Sequence, residues 1–172
     1  MTEPFPARRR VTRQHLSRTE GPAWLGFLRV HAAVVRRLEA ELQTAHGLSL
    51  AAYEALLFLA RAPERRLRIS DLAGSTLLSV GGSTRLVERL AAEGLVKREQ
   101  STQDRREHYA VLTEAGLARL YEANATHLAG VRKYFLSAFT DLELSVMAAC
   151  WERLLPGASQ GNLNLDEPSS DQ

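Results

Sequence analysis

Two short polar segments of this 172-residue chain carry the side chains best suited to recognising another molecule. The first segment contains Ser79, Ser83, Thr84, Arg85 and Arg89. The second contains Asp104, Arg105 and Arg106. An arginine guanidinium can donate two hydrogen bonds to guanine, whereas serine and threonine hydroxyls mostly bind phosphate oxygens. These residue types therefore suit contacts with nucleic acid.

Catalytic and metal-binding motifs are missing from the sequence. It contains no GxSxG, no phosphate-binding loop and no HExxH. His15, His31 and His46 recur every fifteen residues, but fifteen residues of helix rise about 22 Å, whereas zinc requires each ligand nitrogen at about 2.0–2.1 Å. His108 and His127 show no ligand-like spacing. We therefore expect a protein that is not an enzyme and that uses no metal or cofactor.

Composition narrows the class further. The net charge is only +2, so an interaction with nucleic acid must depend on where the charges lie. Cys150, the single cysteine, cannot form an internal disulfide, which fits a reducing compartment. No apolar run approaches the ~20 residues of a membrane span, and the arginines at 8–10 are not followed by the apolar run of a secretory signal. We expect a cytoplasmic protein.

The polar segments must be positioned by short elements in the middle of the chain. An apolar stripe predicts a helix over 24–45, ended by Gly47, and Ser49 caps a buried helix over 50–62. Ser70 is expected to cap a short helix over 71–76, and Ser79 a second one that ends at Gly94. Two short helices so close together indicate a helix-turn-helix.

The remaining elements follow the helix-turn-helix. Residues 95–99 and 107–112 flank a polar tip and predict a hairpin, or wing, whereas 67–69 are too few for an independent strand. Thr113 caps a long helix over 114–139, and Thr140 with Glu143 has capping-box spacing for a last helix over 141–155. The basic segment 1–20 and the acidic tail 157–172 are expected to be disordered. Arg65, Arg66 and Arg68 belong to a solvated loop or touch phosphates.

Two motifs resemble the MarR family of transcriptional regulators. One is Ser83-Thr84-Arg85-Leu86-Val87-Glu88-Arg89-Leu90 followed by Gly94-Leu95-Val96-Lys97-Arg98. The other is Asp104-Arg105-Arg106 followed, after five residues, by Leu112-Thr113-Glu114-Ala115-Gly116. The resemblance covers 24–156 and implies a mainly α fold with a small β-hairpin wing. A winged helix-turn-helix lobe would occupy about 48–113 of a domain at 21–156, with dimerisation helices at about 22–46 and 114–155.

The resemblance also implies roles for residues of both segments. Arg106 would enter the minor groove while Asp104 orients it, with Arg105 on the phosphates. A recognition helix presents its N-terminal side chains to the major groove, where Arg85 is the first choice for reading guanine. Arg89 either contacts DNA or pairs with Glu88 or Glu93. Gly81 and Gly82 depart from a strong recognition helix, because each costs ~1 kcal/mol of helix propensity relative to alanine.

Partners follow from the same resemblance. The terminal helices would form a homodimer that binds double-stranded DNA at a pseudo-palindromic operator, and the regulator would be a repressor. A small aromatic or lipophilic effector would bind in a pocket for which the candidate residues are Trp24, Phe27, His31, Tyr53 and Phe58, although such a stripe also suits plain core. Two alternatives stay open: an interaction module on a winged scaffold without DNA binding, and a thiol redox sensor using Cys150.

Overall fold

The computed structural model describes residues 15–75, 80–101, 104, 107–159 and 165. Six helices and three strands follow one another along the described chain. They are α1 (Glu20–His46), α2 (Leu50–Arg61), β1 (Arg66–Arg68), α3 (Ile69–Ser75), α4 (Val80–Ala92), β2 (Val96–Gln100), β3 (His108–Leu112), α5 (Glu114–Tyr134) and α6 (Asp141–Leu154). Single 3₁₀ turns lie at Pro63–Arg65 and Leu136–Ala138. The predicted fold class, mainly α with a β wing, is confirmed.

Residues 36–130 form one compact unit. Its core is built around α2, in which Tyr53, Leu56 and Leu59 are almost fully buried. Leu42 of α1, Leu90 of α4 and Leu120 of α5 are buried in the same unit. The unit is wider than the predicted lobe at 48–113, because the last part of α1 and most of α5 supply core residues.

The sheet has three strands, in the order β1-β3-β2, and all neighbours are antiparallel. Strand β3 pairs with β2 from Val96 opposite Leu112 to Gln100 opposite His108, which confirms the wing. Residues 67–69 were expected to be too few for an independent strand, but Arg66–Arg68 form strand β1 of the sheet. Although β1 has only three residues, Leu67 pairs with Ala110 at the buried centre of the sheet, and long-range pairing supplies the stability that its length does not.

Local capping explains most helix ends. Gly47 and Gly94 have φ of 65° and 75°, the left-handed geometry that a helix-terminating glycine adopts at low cost. Ser49 accepts a hydrogen bond from the Ala52 amide, and Thr140 and Glu143 form the predicted capping box. The predicted cap at Ser70 is wrong, because α3 already begins at Ile69, directly after β1.

The second compact unit comprises 1–35 and 131–172, of which the described parts are 15–35, 131–159 and 165. Its α1 segment begins earlier than predicted, because Ser17 and Glu20 exchange hydrogen bonds of 2.8 and 3.1 Å. Hydrogen bonds from the backbone amide and the side chain of Ser17 lower the pKa of the Glu20 carboxyl. At the other end, Gly157 and Ser159, assigned to the tail, donate hydrogen bonds to Glu152 at the end of α6. Residues 1–14, 160–164 and 166–172 of the predicted disordered ends lie outside the described residues.

Candidate nucleic-acid interface

Helix α4 has one buried and one exposed face. Leu86, Val87 and Leu90 are 3% exposed or less and hold the helix against the core. Arg85, Glu88 and Arg89 are exposed on the other side. Because residues three and four apart share a helix face, these three charged side chains form one surface. Both Gly81 and Gly82 lie within the helix.

Ser83 was predicted to contact DNA, and this prediction is wrong. Its side chain is fully buried, and its Oγ has no hydrogen-bond partner in the described part of the chain. The residue lies three positions before Leu86 and seven before Leu90, so it continues the apolar stripe of α4 inward. A hydroxyl in that position cannot reach a phosphate. The stripe itself contained the information needed to place it.

The other predicted residues of α4 lie near its surface. Arg85 makes no hydrogen bond or ion pair with the described residues, so its guanidinium is available to an external partner. Thr84 is half-buried and lines a small cavity beside Arg98 and His108 of the wing. Arg89 lines a hollow beside Ser49 and Glu93. Glu88, one of its predicted partners, pairs instead with Arg98.

The wing carries the second predicted group, of which only Asp104 is described. Its backbone amide donates to Ser101 Oγ at 3.2 Å, and its carbonyl accepts from the Glu107 amide at 3.0 Å. Asp104 is therefore held in a hydrogen-bonded turn at the end of the hairpin, with an exposed side chain. Ser79, Arg105 and Arg106 lie outside the described residues.

Arg65, just before β1, and Arg66 and Arg68, within it, pair with carboxylates of the protein. Arg66 lies over the ring of Tyr109 at 3.9 Å and pairs with Glu99 at 3.5 Å. Arg68 pairs with Glu107 at 2.8 Å and donates to the hydroxyl of Tyr109. Arg65, just before the strand, pairs with Glu114 at 2.8 Å. These side chains are engaged by carboxylates of the protein, so a direct phosphate role has little support.

One ion pair joins α4 to the wing. Arg98 of β2 donates from Nη1 to Oε1 of Glu88 at 3.3 Å. The side chains of Arg98 and Glu88 are 36% and 54% exposed. The sequence did not predict this pair, because its two residues are ten positions apart and lie in different elements, so no local spacing rule connects them.

A buried polar cluster lies between α2 and α5. The Tyr53 hydroxyl donates to Asn124 Oδ1 at 2.7 Å, and the Tyr53 ring stacks on His127 with centroids 4.4 Å apart. Burial raises the pKa of Tyr53 to about 12 and lowers the pKa of His127. Tyr53 was predicted to line an effector pocket. That prediction is wrong, because the side chain is 1% exposed and belongs to the core.

The unit formed by 15–35 and 131–159 contains an apolar cavity of about 550 Å³. It is lined by residues of α1, of α6 and of the segment between α5 and α6, including Phe27, His31 and Cys150. Trp24, also predicted, stacks on Phe27 at 6.0 Å but does not line the cavity. Phe58 belongs to the other unit and is not a lining residue. The Sγ of Cys150 accepts a hydrogen bond from Arg153 at 3.1 Å.

The described residues lack two further kinds of feature. They contain no group of three histidine, cysteine, aspartate or glutamate side chains arranged to hold a metal ion. Over the same residues, every helix is too short or too polar to cross a membrane.

Comparison with known proteins gives consistent matches. Residues 46–107 match the profile of the MarR family. The repressor YetL of Bacillus subtilis is 29% identical over 111 residues, which are 63% of this chain and 66% of YetL, just under two thirds of its length. The MarR family regulator AbsC of Streptomyces coelicolor is 33% identical with a TM-score of 0.75, over 81% of this chain and 94% of AbsC.

Two other solved structures carry a bound molecule. Sco3205 of Streptomyces coelicolor, a MarR family regulator in complex with DNA, is 25% identical with a TM-score of 0.77, over 83% of this chain and 89% of that one. CouR of Rhodococcus jostii RHA1, bound to p-coumaroyl-CoA, is 27% identical with a TM-score of 0.62, over 74% of this chain and 89% of CouR.

Proposed function

Because this chain belongs to the MarR family of transcriptional regulators, we propose that it is a ligand-responsive repressor that binds a pseudo-palindromic operator as a homodimer. DNA binding agrees with the complex formed by Sco3205, and repression with the activity named for YetL. The relatives that it matches are transcriptional regulators and not enzymes.

The exposed face of α4 is the observation that carries the DNA-binding proposal. Arg85 projects from a helix whose opposite face is buried, and it has no carboxylate partner in the described chain. A guanidinium held this way can donate two hydrogen bonds to guanine, worth about 1–3 kcal/mol of discrimination. The wing adds Asp104, Arg105 and Arg106, for which we propose minor-groove and phosphate contacts.

Fluorescence anisotropy with the intergenic duplex beside the protein's own gene tests these contacts. We expect Arg85→Ala to reduce the preference among operator variants, because it removes base readout. Arg106→Ala should weaken binding to all of them and reduce the salt slope by about 1 for each bound protomer. Ser83→Ala is the matched control: its buried hydroxyl contacts no DNA, so affinity should stay unchanged. Unaltered binding by both arginine variants would contradict the assignment.

For the effector, we propose the cavity lined by Phe27, His31 and Cys150. Its size and apolar lining suit an aromatic or lipophilic molecule, and CouR offers a precedent for an acyl-CoA ligand within the family. An effector changes the affinity of the protein for DNA only if it binds the DNA-binding conformation and the other conformation with different affinities. Peroxide acting on Cys150 is the rival input, and it is excluded if Cys150→Ser leaves an oxidant response intact.

Gly26 provides a clean test of the cavity. It lines the cavity, and a Cβ added there would meet no atom within 4 Å. Gly26→Leu should therefore fill space that a ligand needs, whereas Gly26→Ala leaves most of it open. We expect the leucine variant to bind the aromatic anion anilinonaphthalene sulfonate about tenfold more weakly, and the alanine variant to bind like wild type. Equal dye affinity for all three proteins would exclude this cavity.

A further inference from the structure

We propose that Arg98 is a positioning residue of the DNA interface, whose guanidinium neutralises Glu88 on the recognition helix and ties the wing to that helix. This inference rests on the proposed DNA binding. It assigns Arg98 a role through Glu88 and not a contact of its own with phosphate. The recognition surface would then consist of Arg85 and Arg89, and the charge of Glu88 between them would be neutralised by Arg98.

The charge pattern of α4 shows why compensation is needed. Glu88 is the sole carboxylate between Val80 and Ala92. It lies three residues after Arg85 and next to Arg89, on the exposed side of the helix. A helix placed in the major groove would bring this carboxylate towards two phosphate backbones. Like charges brought together at an interface oppose binding, so an unpaired Glu88 would weaken the contacts made by its neighbours.

Arg98 is held where it can remove that repulsion. It pairs with Ala110 across the β2–β3 ladder, and its Nη1 reaches Oε1 of Glu88 at 3.3 Å. The same contact joins β2 to α4, so it also fixes the base of the wing relative to the recognition helix. An ion pair this exposed contributes only about 0–1 kcal/mol to folding. Stability alone is therefore a weak reason for the pair.

The small cavity beside Arg98 does not have the charge of an anion site. Arg68 and Arg98 both line it, as does Glu107. Arg68 is engaged by Glu107 at 2.8 Å, and Arg98 by Glu88. Each cation is thus already matched by a carboxylate, leaving little net attraction for a phosphate. The observations favour internal compensation over direct phosphate binding.

A double-mutant cycle separates the two roles. Wild type, Arg98→Ala, Glu88→Gln and the double variant are titrated by anisotropy, over a range of salt, against the intergenic duplex that wild type binds. We expect Arg98→Ala to bind about tenfold more weakly and the double variant to recover most of that loss. Because the double variant has the same net charge as wild type, its salt slope should equal that of wild type. Melting temperatures should differ little among the four proteins.

Arg119 and Glu122 provide the matched control. They form an exposed pair on α5, with side chains 43% and 68% exposed, and the same cycle there should leave DNA affinity unchanged. The proposal is overturned if Arg98→Ala binds like wild type. It is also overturned if Glu88→Gln gives no rescue and the salt slope stays shallower by about 1 for each bound protomer, the result for a direct phosphate contact. Failure of wild type to bind any duplex would instead reject the proposed function.

Discussion

Arginines close together in this protein have different roles because their neighbours differ. Arg66 is held by Glu99 and an aromatic ring, Arg68 by Glu107, and Arg98 by Glu88. Arg85 has no such partner in the described chain. A charge already matched by a carboxylate attracts phosphate weakly, so the available guanidinium of Arg85 supports its proposed role in DNA binding better than the number of arginines does.

His127 makes stability depend on pH. Its side chain is 8% exposed, its Nδ1 has no hydrogen-bond partner in the described chain, and burial lowers its pKa below the ordinary value of 6.5. Between that lowered pKa and 6.5, the unfolded chain binds more protons than the folded protein. We therefore expect the contribution of His127 to the free energy of unfolding to be highest above pH 6.5 and to fall as the solution is acidified.

Urea denaturation followed by circular dichroism, repeated at several pH values, measures this dependence. His127→Leu removes the titrating group and should flatten the curve of unfolding free energy against pH, whatever its effect on absolute stability. His15→Gln removes an exposed histidine and should keep the wild-type curve. An equally steep fall in the His127→Leu protein would show that other groups cause the acid sensitivity.

At the scale of elements, local signals predicted the helices well. Ser49, Gly47, Gly94 and the Thr140–Glu143 box act within a few residues of themselves, so the sequence alone indicates where helices begin and end. Strand β1 was missed because its stability comes from β3, more than forty residues away. Pairings between distant residues, such as Arg98 with Glu88, leave no periodic pattern to detect.

The candidate site shows the same limit. Arg85 and Asp104 were predicted from residue type and from the family motifs, and both side chains are exposed. Ser83 was misassigned because residue type outweighed helical periodicity: its distance from Leu86 and Leu90 already indicated burial. Tyr53 was misassigned because an aromatic side chain suits a pocket or a core equally well, and the sequence does not show that Tyr53 is buried and bonded to Asn124.

Gly116 shows how a motif residue positions an element. A Cβ at this residue would lie 2.8 Å from Leu112 Cδ1 and 2.9 Å from the Leu95 carbonyl carbon, because α5 begins directly against the start of β2. Backbone cannot yield as a flexible side chain does. We expect Gly116→Ala to lower the free energy of unfolding by about 1–3 kcal/mol, the usual cost of overpacking.

Gly26→Ala is the matched control for this prediction. Both glycines lie inside helices, but the space beside Gly26 is open, so an alanine there should stabilise the protein by about 1 kcal/mol through helix propensity. Urea denaturation of the two variants should therefore give shifts of opposite sign. If both variants are more stable than wild type, helix propensity, and not the contact with Leu95, determines the effect at Gly116.

At the scale of the whole molecule, exposed apolar surface is unevenly distributed. In the described chain, the large apolar side chains that are exposed all belong to the unit formed by 15–35 and 131–159. They are Leu16, Trp24, Leu25, Phe27, Leu28, Val30, Leu142, Val146, Trp151, Leu154 and Leu155. Soluble monomers rarely expose so many apolar residues in one region. This distribution supports the proposed homodimer.

In the proposed homodimer, the same surface would connect assembly with ligand response. Phe27 and Trp151 are exposed apolar residues that also line the cavity. A second copy covering them would close the cavity over a bound effector, so dimerisation and effector binding would stabilise each other. Two-fold symmetry would also present two recognition helices to the two halves of an operator.

Charge introduced into the apolar face tests the dimer. Leu142 and Val146 are 75% and 56% exposed, one turn apart on α6, so arginine at both positions should fold without strain but oppose association. We expect wild type to sediment with twice the mass of the chain and Leu142→Arg/Val146→Arg as a monomer. Operator affinity should fall by about 10²-fold or more, because the second half-site is no longer bound by a linked partner.

Thr44→Arg is the control for this prediction, because it adds charge at an exposed position of the other unit and should change neither mass nor affinity. A double variant that remains dimeric would exclude this face as the interface, whereas a monomer with full operator affinity would separate DNA binding from assembly.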